Sequence, residues 1–550
     1  MRPRQYPEAQ LLSGPRAGLS RRAARAGGTA GVVLELALLC LSALLYALCF
    51  PSFLSDWGWF PLAYIALVPL FIVVHRSSWP RIFLYGLFFG FLSYGLYNFW
   101  LGKFHPLALF IVPPIYAGYF LLLMPLLKAA DALFPRYGFI LQTLLWVAYE
   151  YFKTLGFLGY PYGIIGYSQY LFLPLIRLAG LTGVWGVSLL VVFPSTLLGN
   201  ALKQGRRIFF PFLKQMAAPA LCYLLAFASS LVYGALAAEE LSGARPWKVA
   251  LVQQNVDPWK GGAKAYENSL NISTRLSVQA SLQDPEIIIW SETAFVPSVD
   301  WHTRYRTDRE LYTLVKRLRE FLSTRPEPYL IGNNDGQLAL TDRGEEVRID
   351  YNATLLLQRG RILGTYRKLH LVPFTENFPY QDVLPGIDRW LRHADTHFWE
   401  KGREYTVFEA GGVKFSTPIC FEDTFGYLCR GFIRHGAEVL VNMTNDSWSN
   451  SVACAMQHLS AAVFRAVENK RSLVRATNGG ITCVIDPNGR IVSRLAPFSE
   501  GALIATVPVF TGTATPYTRW GDWLGQGLLI LGPLGLLAGA ARSVLRRKED

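Results

Sequence analysis

Three side chains suited to acyl-transfer chemistry stand at the ends of strand-like runs in the second half of this 550-residue chain. Glu292 closes EIIIWSE (286–292), in which Ile287-Ile288-Ile289 reads as a fully buried strand. Lys368 follows the strand-like ILGTY of RILGTYRKLHLVPFTENFP (361–379), a stretch that also carries Glu376. Cys420 lies in GVKFSTPICFEDTFGYLCRGFIRHG (412–436), between a strand and an expected helix. A thiol is a better nucleophile than a hydroxyl near neutral pH, and the strand-to-helix turn is expected to favour the Cys420 thiolate. Glu292, in apolar surroundings, can accept the thiol proton and later take one from an attacking amine. Lys368 can stabilise the oxyanion of the tetrahedral intermediate, with a backbone amide near Phe421 as second donor. Glu376 and Glu422 would hold Lys368 and the base in position. Taken singly, these residues have a plainer reading: a buried structural thiol, and surface charges or one salt bridge.

Convergence of the three requires a sheet whose strands end at one edge, where groups in α/β proteins collect. From Pro246 to Phe510 short β-branched runs, charged helical stretches and Gly/Pro/Asn/Asp turns give the texture of a water-soluble α/β domain, taken as 246–510. The remainder is membrane-like, and the chain as a whole is 51% hydrophobic, 14% aromatic and only 17% charged. Windows of about 20 apolar residues fall near 32–52, 58–75, 83–102, 108–127, 138–156, 184–202, 216–237 and 523–543. The expected order is a basic tail (1–28), seven helices (29–240), the domain, an eighth helix (520–545) and a short tail (546–550).

Lys and Arg sort onto alternate loops. Arg2, Arg4, Arg16, Arg21, Arg22 and Arg25 precede the first span. Arg76 and Arg81, Lys128 and Arg136, and Lys203, Arg206, Arg207 and Lys214 follow the second, fourth and sixth, while the intervening loops carry Lys103, Lys153 and Arg177. Positive loops stay in the cytoplasm, so the domain is expected outside, on the periplasmic side of a bacterial inner membrane. No cleaved leader is expected, since Leu48 before Cys49 is too large for a lipoprotein cleavage box and further spans follow. Glu150, within WVAYEYFKTLGF, is expected either to pair with Lys153 or another buried polar group or to meet substrate.

The formal net charge of +14 is dispersed between apolar runs rather than gathered on a binding module, which argues against nucleic acid as a partner. Seven cysteines without a C-x-x-C pair support neither a disulfide framework nor a zinc site. His393 and His397 stand four apart but lack a third ligand, and there is no phosphate loop or G-x-S-x-G elbow, so no metal or cofactor is expected.

The sequence around the three residues resembles the nitrilase superfamily, and within it the apolipoprotein N-acyltransferases. WSET (290–293), YRKLHLVPFTE (366–376), PICFED (418–423), NMTNDSW (442–448), QHLSAAVFRAVENKRSLVRATNGGITCVIDPNG (457–489) and TPYTRWGDW (515–523) are similar to that family's successive signatures. The resemblance implies an eight-helix transmembrane bundle with an inserted αββα sandwich. It also implies a two-stage reaction in which a phospholipid, commonly phosphatidylethanolamine, acylates the cysteine, and a diacylated apolipoprotein then takes the acyl group on its α-amino nitrogen. It assigns Glu292 as base, Lys368 as oxyanion stabiliser and Cys420 as nucleophile, with Glu376 and Glu422 supporting and Trp259, Phe421 and Trp448 near substrate-handling positions. The chain departs from the family pattern at Phe421, where tyrosine is common, at Thr375, at Ser449-Asn450 after Trp448, and in the order Trp259-Lys260.

A membrane-tethered amidohydrolase shares the same triad, and the acceptor, water or a lipoprotein amine, separates the two readings. A transporter or scaffold with an inactive domain leaves the triad unexplained. The segment 377–400, in which Phe378, Tyr380, Trp390, Leu391, Phe398 and Trp399 punctuate a polar stretch, is expected to act as a lid.

Overall fold

The computed structural model describes residues 28–104, 108–203, 206–340, 344–393 and 398–549, so the basic tail expected at 1–28 lies outside them save for Gly28. Five described helices are long and apolar enough to cross a membrane: Thr29–Leu48, Ala108–Leu133, Val184–Lys203, Ala217–Leu236 and Trp523–Lys548. Many of their large apolar side chains, Leu122, Leu224, Leu225 and Leu537 among them, face outward, as a lipid solvent permits. The other three expected spans take shorter forms. The window 58–75 divides into a 3-10 turn Phe60–Tyr64 and a helix Val68–Arg76, each with a proline in its first turn, where the missing N–H costs no helical bond. The window 83–102 becomes the helix Trp79–Tyr97 and a short turn Leu101–Phe104, and 138–156 becomes the helix Gly138–Phe152.

The intervening domain contains two six-stranded mixed sheets. The first comprises β1 (Arg245–Gln253), β2 (Ile287–Ile289), β3 (Tyr329–Leu340), β4 (Glu346–Gln358), β5 (Arg361–Arg367) and, beside β1, β12 (Gly501–Val509). The second runs from β6 (Phe408–Ala410) through β7 (Val413–Ser416), β8 (Val439–Thr444), β9 (Ser472–Thr477) and β10 (Cys483–Ile485) to β11 (Ile491–Arg494). In each sheet the inner strands are parallel, β1-β2-β3 and β7-β8-β9, and the outer pairs are antiparallel.

Side-chain alternation sorts the strands into layers. Trp247, Val249, Leu251, Ile287 and Ile289 join the core shared with the second sheet, with Trp247 lying 5.3 Å from Phe415. The alternate residues Ala250, Val252, Ile288 and Trp290 join a separate core under the helices Ala263–Ser281 and Arg309–Ser323. Fully burying such a side chain contributes about 1.5–3 kcal/mol, so a slip of one residue in β1 or β2 would forfeit several at once. The helix Arg309–Ser323 shows why the outer layer forms: Asp308 caps it by accepting from Leu311 N at 2.9 Å, and Leu314, Val315, Leu318 and Leu322 make its buried stripe. On the opposite face, the helices Gly426–Arg434 and Val452–Asn469 cover the second sheet. The second of these helices is buried from Ala453 to Asn469, because the membrane bundle packs on its other side.

Side-chain hydrogen bonds lock this junction. Gln457 donates to the carbonyls of Pro51 and Tyr97 at 2.8 and 3.1 Å and accepts from Trp100 Nε1 at 2.9 Å. Inside the bundle Glu150 accepts from Ile165 N, Trp146 Nε1 and Ser188 Oγ, while Lys153 donates to the Tyr94 hydroxyl and the Tyr162 carbonyl. Both residues therefore pin the loop that carries Tyr160 and Tyr162 towards the domain.

Candidate active site

Each expected reactive residue leaves a strand and turns into the space between the sheets. Glu292 follows β2, and its close seat against β3 depends on Gly332: a Cβ there would lie 2.4 Å from Ser291 O and 2.8 Å from Glu292 Cα. Lys368 follows β5 and is fully buried, its backbone N–H bonded to Asn352 O and its carbonyl to Gly402 N. Cys420 follows β7 through an isolated bridge between Ile419 and Met443 and remains partly exposed.

These three converge. Lys368 Nζ lies 2.9 Å from Glu376 Oε1 and 3.6 Å from Glu292 Oε1. Glu292 Oε1 also accepts from Asn352 Nδ2 at 2.9 Å, and its carboxylate lies near enough to the Cys420 thiol for its charge to raise the thiol pKa. Glu376 spends its second oxygen on Val372 N at 2.8 Å, which closes the loop after Lys368. Glu422 is the joint of the assembly. Its carboxylate accepts from Leu369 N (2.6 Å), His370 N (2.8 Å), Ile419 N (2.7 Å) and the Tyr366 hydroxyl (2.7 Å), stapling the Lys368 loop to the Cys420 turn.

The electrostatics set the charge states of these groups. Burial opposes the Lys368 charge, but Glu376 and Glu292 outweigh it and raise the pKa, so the amine stays an ammonium and acts as a fixed cation, not as a base. Burial raises the Glu292 carboxyl above its ordinary range, partly offset by Lys368. Burial also pushes Glu422 up to about 7.

The Cys420 thiol differs from expectation. A helix N-terminus was expected to favour its thiolate, yet Cys420 opens a 3-10 turn, Cys420–Thr424, and the helix Gly426–Arg434 begins only later. Burial and the neighbouring Glu292 charge raise the thiol pKa instead. The resting group is a thiol, and the adjacent carboxylate is placed to take its proton should the sulfur act as a nucleophile. Cys420 also has φ +50°, a left-handed backbone that costs about 1 kcal/mol and presents the side chain at a sharp elbow. Its carbonyl is held there by Asn442 Nδ2 at 3.0 Å and by His458 Nε2 at 3.2 Å.

The two halves of the chain each match a family: residues 42–197 the apolipoprotein N-acyltransferase N-terminal domain, and residues 248–517 the carbon-nitrogen hydrolases. The whole is 42% identical over 537 residues to apolipoprotein N-acyltransferase 1 of Treponema denticola, covering 94% of this chain and 98% of that one. The chain belongs to the apolipoprotein N-acyltransferase family. Apolipoprotein N-acyltransferase 1 of Treponema pallidum is 43% identical over 93% of this chain and 96% of its own. Among solved structures, an amidase from Nesterenkonia sp. AN1 aligns at TM-score 0.35 and 17% identity, over 50% of this chain and 94% of that one, a likeness too slight to add to the assignment.

In this chain the three aromatic residues expected near substrate separate. Phe421 is 7% exposed and stacks on Tyr162 (ring centroids 6.2 Å apart, 11° between planes), so it joins the Cys420 turn to the membrane-side loop. Trp448 packs edge-on against Trp100 at 5.6 Å, again across the junction. Trp259 is 61% exposed on the loop after β1. Asn478 spans the two loops: it accepts from Asn255 N and exchanges hydrogen bonds with Val256 on one side, and donates to Asn445 and Ser447 on the other.

Several residues were not singled out from sequence. Asn352 and Tyr366 act through a carboxylate partner distant in sequence, and Asn442, Asp446, His458 and Arg475 lie inside family-like blocks whose individual roles spacing does not disclose. Of the two histidines weighed as metal ligands, His397 and the His393 side chain lie outside the described residues.

Proposed function

We propose that this protein moves an acyl chain from a phospholipid, through a thioester on Cys420, to the α-amino group of the S-diacylglyceryl-cysteine that begins a lipoprotein. Family membership supports lipoprotein N-acylation. The observation that carries the chemistry is the meeting of Glu292, Lys368 and Cys420 beside Phe421, whose ring rests on Tyr162 of the membrane-side loop.

In the first half-reaction Glu292 takes the thiol proton as sulfur attacks the donor's ester carbonyl. The oxyanion forms against the Lys368 ammonium and the Phe421 N–H. Collapse expels the glycerol oxygen, which recovers the proton from Glu292 and departs as a lysophospholipid. In the second, the lipoprotein amine attacks the thioester, Glu292 accepts its proton, and the thiol is regenerated as the amide forms. Phosphatidylethanolamine suits the donor role as a bilayer ester lipid with its reactive carbonyl at membrane depth. We assign the eight apolar stretches as spans, with the domain on the periplasmic side, on the Lys/Arg sorting.

The decisive assay supplies purified enzyme with phosphatidylethanolamine and a diacylated lipopeptide. Transfer of the acyl chain to the lipopeptide amine is expected, and release of free fatty acid to water with no N-acylated product would support the amidohydrolase reading instead.

A further inference from the structure

Beneath the nucleophile lies a buried charged group that these steps leave unused. His458, 2% exposed, sits on the buried helix Val452–Asn469. Its Nε2 is 2.7 Å from Asp423 Oδ1 and 3.2 Å from the Cys420 carbonyl oxygen, and its Nδ1 is 3.0 Å from Asp446 Oδ1. All of these neighbours accept hydrogen bonds. A neutral imidazole would aim a lone pair at one of the two carboxylates, so both ring nitrogens carry protons.

The charge count agrees. Arg475 pairs with both Asp423 and Asp446, which leaves one negative charge in excess, and a cationic His458 brings the buried group to neutrality. Burial opposes the imidazolium, but Asp423 and Asp446 outweigh it and hold its pKa up at about 9.

Two contacts carry the network to the reaction. His458 and Asn442 together hold the carbonyl of Cys420, whose left-handed backbone aims the thiol. Asp446 also acts on the thiol: its charge raises the Cys420 pKa, and it is reached by Thr444, at the end of β8, whose Oγ1 donates to Asp446 Oδ1 at 3.5 Å. We propose that His458 is a positioning residue for the nucleophile, an imidazolium that ties the Cys420 carbonyl to Asp423 and Asp446 and cancels their charge beside the thiol. This rests on Cys420 being the acyl carrier.

The groups around His458 are Asp423 on the catalytic turn, Asp446 after β8, Arg475 on β9 and the Tyr162 ring from the membrane-side loop. The thiol additionally faces Glu292 and Lys368. With a neutral residue at 458 the excess negative charge would disfavour the developing thiolate. Lowering the charge again at 446 would relieve it.

The test uses full-length enzyme in detergent and reads single-turnover acylation by phosphatidylethanolamine across pH, by intact mass. Cys420→Ala, His458→Gln and the charge-balanced double variant His458→Gln/Asp446→Asn are compared with the parent. His458→Gln is expected to acylate at least about tenfold more slowly, with the lower limb of its pH profile moved up by about one pH unit. The double variant is expected to regain most of the rate and to return the limb. A role in packing alone would make the two losses accumulate and leave the limb in place. Should His458→Gln fail to fold, the double variant carries the test, and it must fold and acylate within about tenfold of the parent. The proposal is overturned by parental behaviour of His458→Gln, by a folded double variant that is no faster than His458→Gln, or, where that single variant does not fold, by a double variant that does not fold or acylates more than about tenfold more slowly than the parent. An acyl adduct on Cys420→Ala would instead overturn the nucleophile assignment, so the two failures are distinguishable.

Discussion

Replacing Glu422 by glutamine keeps the side chain's shape and removes half of its accepting capacity. In the structure its two oxygens receive three backbone N–H groups, from Leu369, His370 and Ile419, and the Tyr366 hydroxyl, all in a fully buried setting. A glutamine retains one acceptor oxygen and turns an NH₂ group towards N–H donors. At least one buried donor then goes unpaired, at about 1–3 kcal/mol each, and the amide–amide repulsion adds to it, so destabilisation of about 2–5 kcal/mol is expected. The more informative effect is on rate. Leu369 and His370 adjoin Lys368, and Ile419 adjoins Cys420, so relaxing the staple separates the proposed oxyanion donor from the proposed nucleophile; a misplacement of about 1 Å costs on the order of a hundredfold. Single-turnover thioester formation on Glu422→Gln should fall by that order, while thermal unfolding in detergent still shows a cooperative transition and lipid binding is retained. A variant within about threefold of the parental rate, despite measurable destabilisation, would refute the view that Glu422 couples the two catalytic turns.

Three further outcomes are expected. Because burial raises the Glu292 carboxyl, its basic form fills only above the ordinary carboxylate range, so thioester formation should rise with pH through a limb lying above that range. Lys368→Met, which removes the charge that lowers this pKa, should move the residual limb to still higher pH, and a limb that stays put contradicts the assignment of base. In the segment 377–400, Tyr380 and Trp390 are 44% and 48% exposed, and replacing both by alanine should impair phospholipid and lipopeptide kinetics with little change in thermal stability; unchanged kinetics rules the lid role out. A cysteine introduced at the exposed Glu345, with the exposed Cys40 and Cys222 replaced, should react with a membrane-impermeant maleimide from the periplasmic side, and labelling from the cytoplasm alone would reject the proposed orientation.

The strand ends of the catalytic domain were legible because buried β-strands leave short apolar runs: Ile287–Ile289 and Val413–Ser416 occur where the motif pattern requires them. Five of the apolar windows are continuous helices among the described residues, but the windows 58–75, 83–102 and 138–156 are not. Hydropathy does not register that Pro61 and Pro69 begin separate helical pieces in 58–75, or that the helix Gly138–Phe152 stops before Lys153 turns to bond Tyr162. The state of Cys420 was misread for a related reason. The composition of 420–434 reads as one helix, whereas Glu422 folds back onto Ile419 N and closes a 3-10 turn ahead of Gly426. His458 could not be distinguished from an ordinary buried histidine, since Asp423, Asp446 and Arg475 come from three other elements and meet only in the folded sheet.

The most direct test is whether Cys420 carries an acyl group. Enzyme incubated with phospholipid and no acceptor should gain the mass of one acyl chain, localised to Cys420, released by hydroxylamine and transferred on addition of diacylated lipopeptide. Cys420→Ala should show neither adduct nor product, and Glu292→Gln should not form the adduct. Full acylation of the lipopeptide by an enzyme that never carries a hydroxylamine-sensitive adduct on Cys420 would mean direct transfer between substrates and would contradict the account.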